Sequence, residues 1–364
     1  MLLSKKKTIL VSPLNWGLGH ATRMIPVIRS LTDLGHDVVI GAYGSSAILL
    51  KKEFGDCIHV QLEGFTPKYS SAYSQSLALM FQSLKFLYHK HKEYKKTKEI
   101  VRKYDIDVIV SDNRYGVRHK GIPSVIVTHQ LSPALSGIVR IFEKPVSYIF
   151  GRWINKFSEC WIPDLEEPQD ISGKLSKNRF VKINVRYAGV LSRFRECKRE
   201  DVYKYDYAAV ISGPEPWRSK FEKDLTAVFG NFAGHTVIVR GIPEGGNEEH
   251  RHEGVTFIDH LNAEALNSLM CKSRHIICRP GYSTLMDLFK TGRRALLVPT
   301  PGQPEQEYLA EYMSKEHGFT AVAQKDISTV DVSVFARYED RLRPLNKGMS
   351  DYLNTFVRSN SLFI

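Results

Sequence analysis

Between Cys278 and Ala310 the chain reads CRPGYSTLMDLFKTGRRALLVPTPGQPEQEYLA, a run that few folds accommodate. The apolar segment His275-Ile276-Ile277-Cys278 stops at Arg279-Pro280-Gly281, the pattern of a buried strand entering a tight turn. A helix is predicted next. Thr284 is its hydroxyl cap, Asp287 the carboxylate of a capping box, and Gly292 the terminating residue. A second buried strand, Ala295 to Val298, runs into the Pro- and Gly-rich loop Pro299 to Pro304. Strand, glycine turn, helix, strand is the βαβ unit of a nucleotide-binding sheet. The N–H groups and dipole of such a helix start can hold a diphosphate without a metal, and Gly281 lets it approach the backbone. Asp287 can accept bonds from ribose hydroxyls or can simply cap its helix. Glu305 and Gln306 suit sugar hydroxyls, or they only open the following helix.

The N-terminal part repeats the theme. Thr8 to Ser12 reads as a strand, Asn15-Trp16-Gly17-Leu18-Gly19-His20 as a glycine turn, and Ala21 to Leu34 as a helix. The third glycine of a dinucleotide fingerprint falls at Thr22, and no acid closes the second strand near Ala42, so a nicotinamide or flavin cofactor is not expected. His20 sits where doubly wound sheets place their ligands. It is either a histidine bonded at a helix start or a general base for an acceptor hydroxyl. Asp112, at the end of the strand beginning at Asp107, either caps a turn with Asn113 or orients the His20 imidazole. His129, ending the strand Val125 to Val127, is a candidate for acceptor binding.

In pattern, the Cys278–Ala310 stretch resembles the donor-binding region of GT-B nucleotide-sugar glycosyltransferases. It is similar to the peptidoglycan N-acetylglucosaminyltransferase group of family 28 and, more loosely, to the UDP-glucuronosyltransferases. The matching positions are Arg279, Gly281, Thr284, Asp287, Pro299 and the pair Glu305-Gln306, with Asp287 where the family usually has Glu. The GxGH turn resembles the acceptor-side loop of the same families. The resemblance implies an α/β protein of two Rossmann-like domains facing a cleft. It implies inverting transfer of a sugar from a nucleoside-diphosphate donor, UDP-linked, to an acceptor hydroxyl, with no metal and no further cofactor. His20 would be the base and Asp112 its orienter. Gly17, Gly19, Ser212, Gly213, Arg240, Ile258, Arg279, Gly281, Tyr282, Ser283, Thr284, Asp287, Glu305 and Gln306 would hold the donor. Among these, the backbone of Ile258 would read the uracil edge, and Arg279 or Arg240 would neutralise the diphosphate. A UDP-sugar epimerase, or a non-catalytic module binding sugar nucleotides or lipid, would share the fold.

At 364 residues two domains are expected, an acceptor domain over 1–195 and a donor domain over 205–337. A C-terminal helix over 338–364 would cross back to the first. Five scattered cysteines without a CxxC pair argue for a reducing compartment and against a disulfide framework or zinc site. No apolar run is long enough to span a bilayer, and the N-terminal run MLLSKKKTILVSP reads as a first strand rather than a signal segment. The cytoplasm is the expected compartment. A net charge of +12 without a nucleic-acid motif points to an anionic donor and an anionic membrane surface rather than to nucleic acid. The basic helix predicted over Leu77 to Lys103 is a crossover helix with a solvated face or a peripheral membrane contact. The apolar segment Ala134 to Phe157 is core or an extension of that contact; a lipid-linked acceptor would explain both, and a glycan is the alternative acceptor.

Overall fold

The computed structural model describes residues 6–66, 82–135, 137–198, 202–213, 215–230, 232, 234–242, 245–329, 342, 358 and 362. The chain divides into two compact units, one of Met1–Arg193 with Asn346–Ile364 and one of Phe194–Leu345.

The first unit runs β1 (Thr8–Pro13), α1 (Leu18–Asp33), β2 (Asp37–Ala42), α2 (Gly44–Glu53), β3 (Ile58–Gln61) and α3 (Ser83–Tyr104). It continues with β4 (Val108–Asp112), β5 (Ser124–Val127), α4 (Glu143–Ile154), β6 (Glu159–Ile162) and β7 (Asn184–Tyr187). Its strands form a parallel sheet in the order β3-β2-β1-β4-β5-β6-β7. Central strands such as Ile9-Leu10-Val11 and Ile109-Val110 are buried, as strands covered by helices on both faces must be. The strand order reverses between β1 and β4, where Pro13 is paired with Asp112. That reversal is the topological switch point at which open α/β sheets take their ligands.

The second unit contains β8 (Tyr205–Val210), α5 (Trp217–Phe229), β9 (Thr236–Val239), β10 (Glu249–His252), β11 (Val255–Ile258) and α6 (Ala263–Cys271). Then come β12 (Ser273–Cys278), α7 (Tyr282–Thr291), β13 (Leu296–Leu297), α8 (Pro304–Glu316) and β14 (Thr320–Ala321). Its order is β10-β11-β9-β8-β12-β13-β14, parallel except for the β10–β11 hairpin. β8 lies between β9 and β12, so this sheet also reverses at its centre.

Several boundaries depart from the sequence reading. α7 begins at Tyr282 with Gly281 as N-cap and no side-chain cap bond, so Thr284 lies inside the first turn and the expected capping box is absent. Gly292 closes this helix at φ 70°, a left-handed conformation that glycine adopts without Cβ strain. α1 starts at Leu18 rather than Ala21, which brings His20 into its first turn. The basic helix spans Ser83–Tyr104; its expected beginning near Leu77 lies outside the described residues. β10 is an exposed edge strand. Only Leu342, Arg358 and Leu362 of the C-terminal stretch are described, and Lys7 Nζ donates to the Leu362 carbonyl at 2.8 Å.

The expectation of unpaired cysteines fails at one pair. Cys197 and Cys271 form a disulfide across 74 residues, with Cα atoms 5.2 Å apart. Folding brings them together because the link after β7 runs along α6, where the Arg195 N–H donates to Asn267 Oδ1. Cys57, Cys160 and Cys278 are free thiols.

Candidate functional site

The turn into α1 carries the first cluster. Gly17 has φ 84°, the left-handed geometry that lets the chain turn from β1 into the helix. Neighbouring side chains pin the turn. Trp16 Nε1 donates to the Phe65 carbonyl at 2.7 Å, and Asn15 Oδ1 accepts from the Ser46 N–H at the start of α2. Across the switch point, Asn113 at φ 55° ends β4. Its Oδ1 accepts from the Tyr115 and Thr128 hydroxyls.

These constraints bring His20 and Asp112, separated by 92 residues, into contact: His20 Nδ1 lies 2.9 Å from Asp112 Oδ2. The His20 side chain keeps 15% of its surface exposed, whereas the Asp112 side chain is fully buried. The imidazole is therefore reachable from solvent and its carboxylate is not. Arg23, one turn along α1, completes the cluster. Its Nε donates to Asp112 Oδ1 at 3.0 Å, and its Nη2 reaches the same oxygen. Nη2 also lies 2.8 Å from His20 Nδ1, and Nη1 lies 3.3 Å from His129 Nδ1. Burial opposes ionisation of Asp112, but the Arg23 and His20 charges and hydrogen bonds outweigh it and hold the carboxyl below its ordinary range.

Two points correct or extend the sequence reading here. His129 is only 5% exposed and its ring lies against the Arg23 guanidinium, so it belongs to the buried network and not to an open acceptor surface. Arg23 is not singled out in sequence, although its i, i+3 spacing from His20 and its place among the apolar residues Met24, Val27 and Ile28 are the signal.

In the second unit the candidate residues gather around the carboxyl ends of β8, β12 and β13, but their side chains divide by role. Gly281 caps α7 with Ser283 and Thr284 in its first turn and Asp287 partly buried on the next; Tyr282 is buried. Gly213 has φ 110°, which requires glycine, and a Cβ there would lie 3.9 Å from Thr300 Oγ1, so the β8 and β13 loops are neighbours. Pro214, which follows, lies outside the described residues.

The Arg279 side chain is fully buried and donates to the carbonyls of Val298, Pro299 and Trp217 and to Gln324 Oε1. Burial lowers its guanidinium to about 10, which still leaves it charged at neutral pH. With the guanidinium stacked 4.0 Å over the Phe221 ring, Arg279 ties three loops together. Arg240 is paired with Glu222 and Asp259 at 3.0 and 2.8 Å. Ile258 is buried at the end of β11, and its carbonyl accepts from the Arg240 N–H at 2.8 Å. That bond uses one of the backbone groups expected to read a base. Gln306 is 6% exposed and its Oε1 accepts from the Thr300 N–H, which fixes the loop before α8; Glu305 is partly buried in the first turn of that helix.

Comparison with known proteins gives a consistent family. Residues 8–130 match the model described as Glycosyl transferase family 1, and residues 241–350 match the Glycosyltransferase family 28 C-terminal domain. A Methanosarcina acetivorans protein named an uncharacterized glycosyltransferase is 22% identical over 321 residues, covering 80% of this chain and 77% of its own length. Among solved structures, a UDP-glucosyltransferase from Polygonum tinctorium capable of glucosylating indoxyl superposes with a TM-score of 0.62 at 12% identity. It covers 98% of this chain and 94% of that one. Acinetobacter baumannii MurG superposes with a TM-score of 0.52 at 16% identity, covering 91% and 89%. Carrying a family 1 domain followed by a family 28 C-terminal domain on a GT-B fold, the chain is a glycosyltransferase.

Proposed function

We propose that this glycosyltransferase moves a sugar from a nucleoside-diphosphate donor, UDP-linked, to an acceptor hydroxyl by a single inverting displacement. The observation that carries the reading is the His20–Asp112 contact at the switch point of the first sheet. His20 takes the acceptor proton as the hydroxyl attacks the anomeric carbon. The buried carboxylate orients the imidazole and stabilises the imidazolium that forms. The departing diphosphate is held by the glycine-capped start of α7, with Asp287 on the ribose and Glu305 on the sugar. Because Arg279 and Arg240 are engaged elsewhere, backbone N–H groups and the helix dipole carry the anion, and this reading needs no metal. The name of the UDP-glucosyltransferase neighbour favours UDP within this reading.

The acceptor is lipid-linked in this reading, and the first unit touches an anionic membrane. Leu84 and Tyr88 on α3 are 80% and 66% exposed, Ile141 before α4 is 74% exposed, and Tyr148 and Ile149 on α4 are also exposed. Phe86 packs on Trp153 between the two helices, and Lys85, Lys92 and Lys144 lie near the apolar residues in sequence. No described helix is long and apolar enough to cross a membrane.

A thermal-shift screen of nucleotide sugars identifies the donor, because a ligand of the folded state raises apparent stability. Product analysis then separates the readings. Transfer requires release of the nucleoside diphosphate with acceptor present, and sugar interconversion by donor alone would replace it with epimerisation. Retention on phosphatidylglycerol vesicles but not on phosphatidylcholine vesicles tests the membrane contact.

A further inference from the structure

The cluster around His20 contains one more charge than a histidine–carboxylate pair requires. A buried aspartate beside an imidazole, with no other partner, favours the imidazolium: the carboxylate needs a counter-charge, and the nearest proton acceptor supplies it. An imidazolium cannot act as a base. The groups around His20 come from three elements. Arg23 on α1 and Asp112 at the end of β4 lie against its ring; His129 beyond β5 reaches the cluster through Arg23, and the Tyr115 hydroxyl is linked to the same corner through Asn113. Arg23 supplies a full positive charge to Asp112 Oδ1, and the remaining oxygen, Oδ2, faces His20. The Arg23 and Asp112 side chains are 2% and 0% exposed, so solvent does not screen this pair as it would a surface one.

Resting on the reading of His20 as the base, we propose that Arg23 is the positioning residue that keeps His20 neutral, by providing the counter-charge of Asp112 from within the same helix. Arg23 and Asp112 sum to zero charge, so folding places no net demand for a proton on the imidazole. The guanidinium also stands 2.8 Å from Nδ1, the nitrogen that faces Asp112. A proton on Nδ1 donates to Asp112 Oδ2 and is opposed by the Arg23 N–H. An unprotonated Nδ1 instead accepts from Arg23, but the ring proton then sits on Nε2 and that tautomer is no base; the basic form is the one whose Nδ1–H donates to Asp112 Oδ2. Protonation of His20 at both nitrogens is thus disfavoured by Arg23 in every arrangement of the cluster. The His129 Nδ1 that faces Nη1 fits the same scheme, since a nitrogen accepting from a guanidinium carries no proton.

The test is the titration of the His20 imidazole by NMR, assigned with H20Q, in wild type, R23M and R23K, alongside pH profiles of kcat/KM. In R23M the His20 titration and the acid limb both move to higher pH by about one unit or more, because each pH unit is one tenfold change in proton affinity. Activity at neutral pH falls by at least about tenfold and recovers in alkaline buffer. R23K restores the charge and returns the limb toward the wild-type position. The double variant R23M/D112N, which removes both charges, brings the His20 titration back down and covers the case in which R23M alone folds poorly. An unchanged His20 titration in R23M overturns the proposal. Retention of transfer by H20Q overturns the base reading instead, and the two failures are distinct because the titration is read without turnover.

Discussion

Two buried arginines, Arg23 in the first unit and Arg279 in the second, act in opposite ways. In the first, Arg23 converges with Asp112 on the His20 imidazole, which remains partly exposed, so its charge acts on a group able to meet a substrate. In the second, Arg279 spends its donors on three backbone carbonyls and a glutamine, and Arg240 is held by two carboxylates. Under the proposed transfer, the difference separates a unit that moves a proton from a unit that holds an anion. A unit that moves a proton needs side chains of adjustable charge. A unit that holds an anion can rely on backbone N–H groups at a helix start, provided that the loops carrying them are fixed in place.

The contrast can be broken at either end. The largest effect is expected at His20. H20Q lowers kcat by about 10²–10⁴-fold while donor affinity stays within about twofold, as measured by steady-state kinetics and calorimetry. Loss of donor affinity instead would move His20 out of the base role. Next is Arg279→Met, which leaves buried carbonyls without donors and destabilises the second unit by about 3 kcal/mol in urea denaturation. A ligand-binding arginine would show the reverse pattern, weak donor binding at unchanged stability. Asp287→Ala weakens donor binding by about tenfold by titration calorimetry if it bonds the ribose, one hydrogen bond to a charged group being worth about 1.5 kcal/mol. An unchanged affinity reduces Asp287 to a helix residue.

The smallest and most diagnostic effect is on acid stability. Asp112 is held below its ordinary 3.8, so its contribution is fully present above that value and is lost as pH falls through the depressed folded value. Stability of the first unit should therefore decline below about pH 4 in wild type and decline less steeply in D112N. Equal slopes in the two proteins would mean that the carboxylate is not ionised in the folded state.

Much of the fold was legible because each element carries its own signal. Arg279-Pro280-Gly281 marks a strand end, Gly292 a helix end, and Ile276-Ile277 or Val125-Ile126-Val127 a strand covered on both faces. Local signals set boundaries less well. The capping-box pattern at Thr284 and Asp287 is a real sequence match, yet the helix starts three residues earlier because Gly281 is its N-cap.

What the sequence alone determined, then, is the pair of βαβ units, their glycine turns, and the presence of His20 and Asp112 at strand ends. The tertiary structure decided which charges meet. His20 and Asp112 are 92 residues apart, Arg23 and His129 are 106 apart, and Cys197 and Cys271 are 74 apart. A side chain's role as base partner, counter-charge or loop tie depends on neighbours that only the parallel sheet brings within 3 Å. Arg23 and Arg279 read alike as isolated arginines in sequence. They differ because one faces a carboxylate beside an imidazole and the other faces backbone carbonyls, and hydrogen-bond geometry is a property of the folded chain.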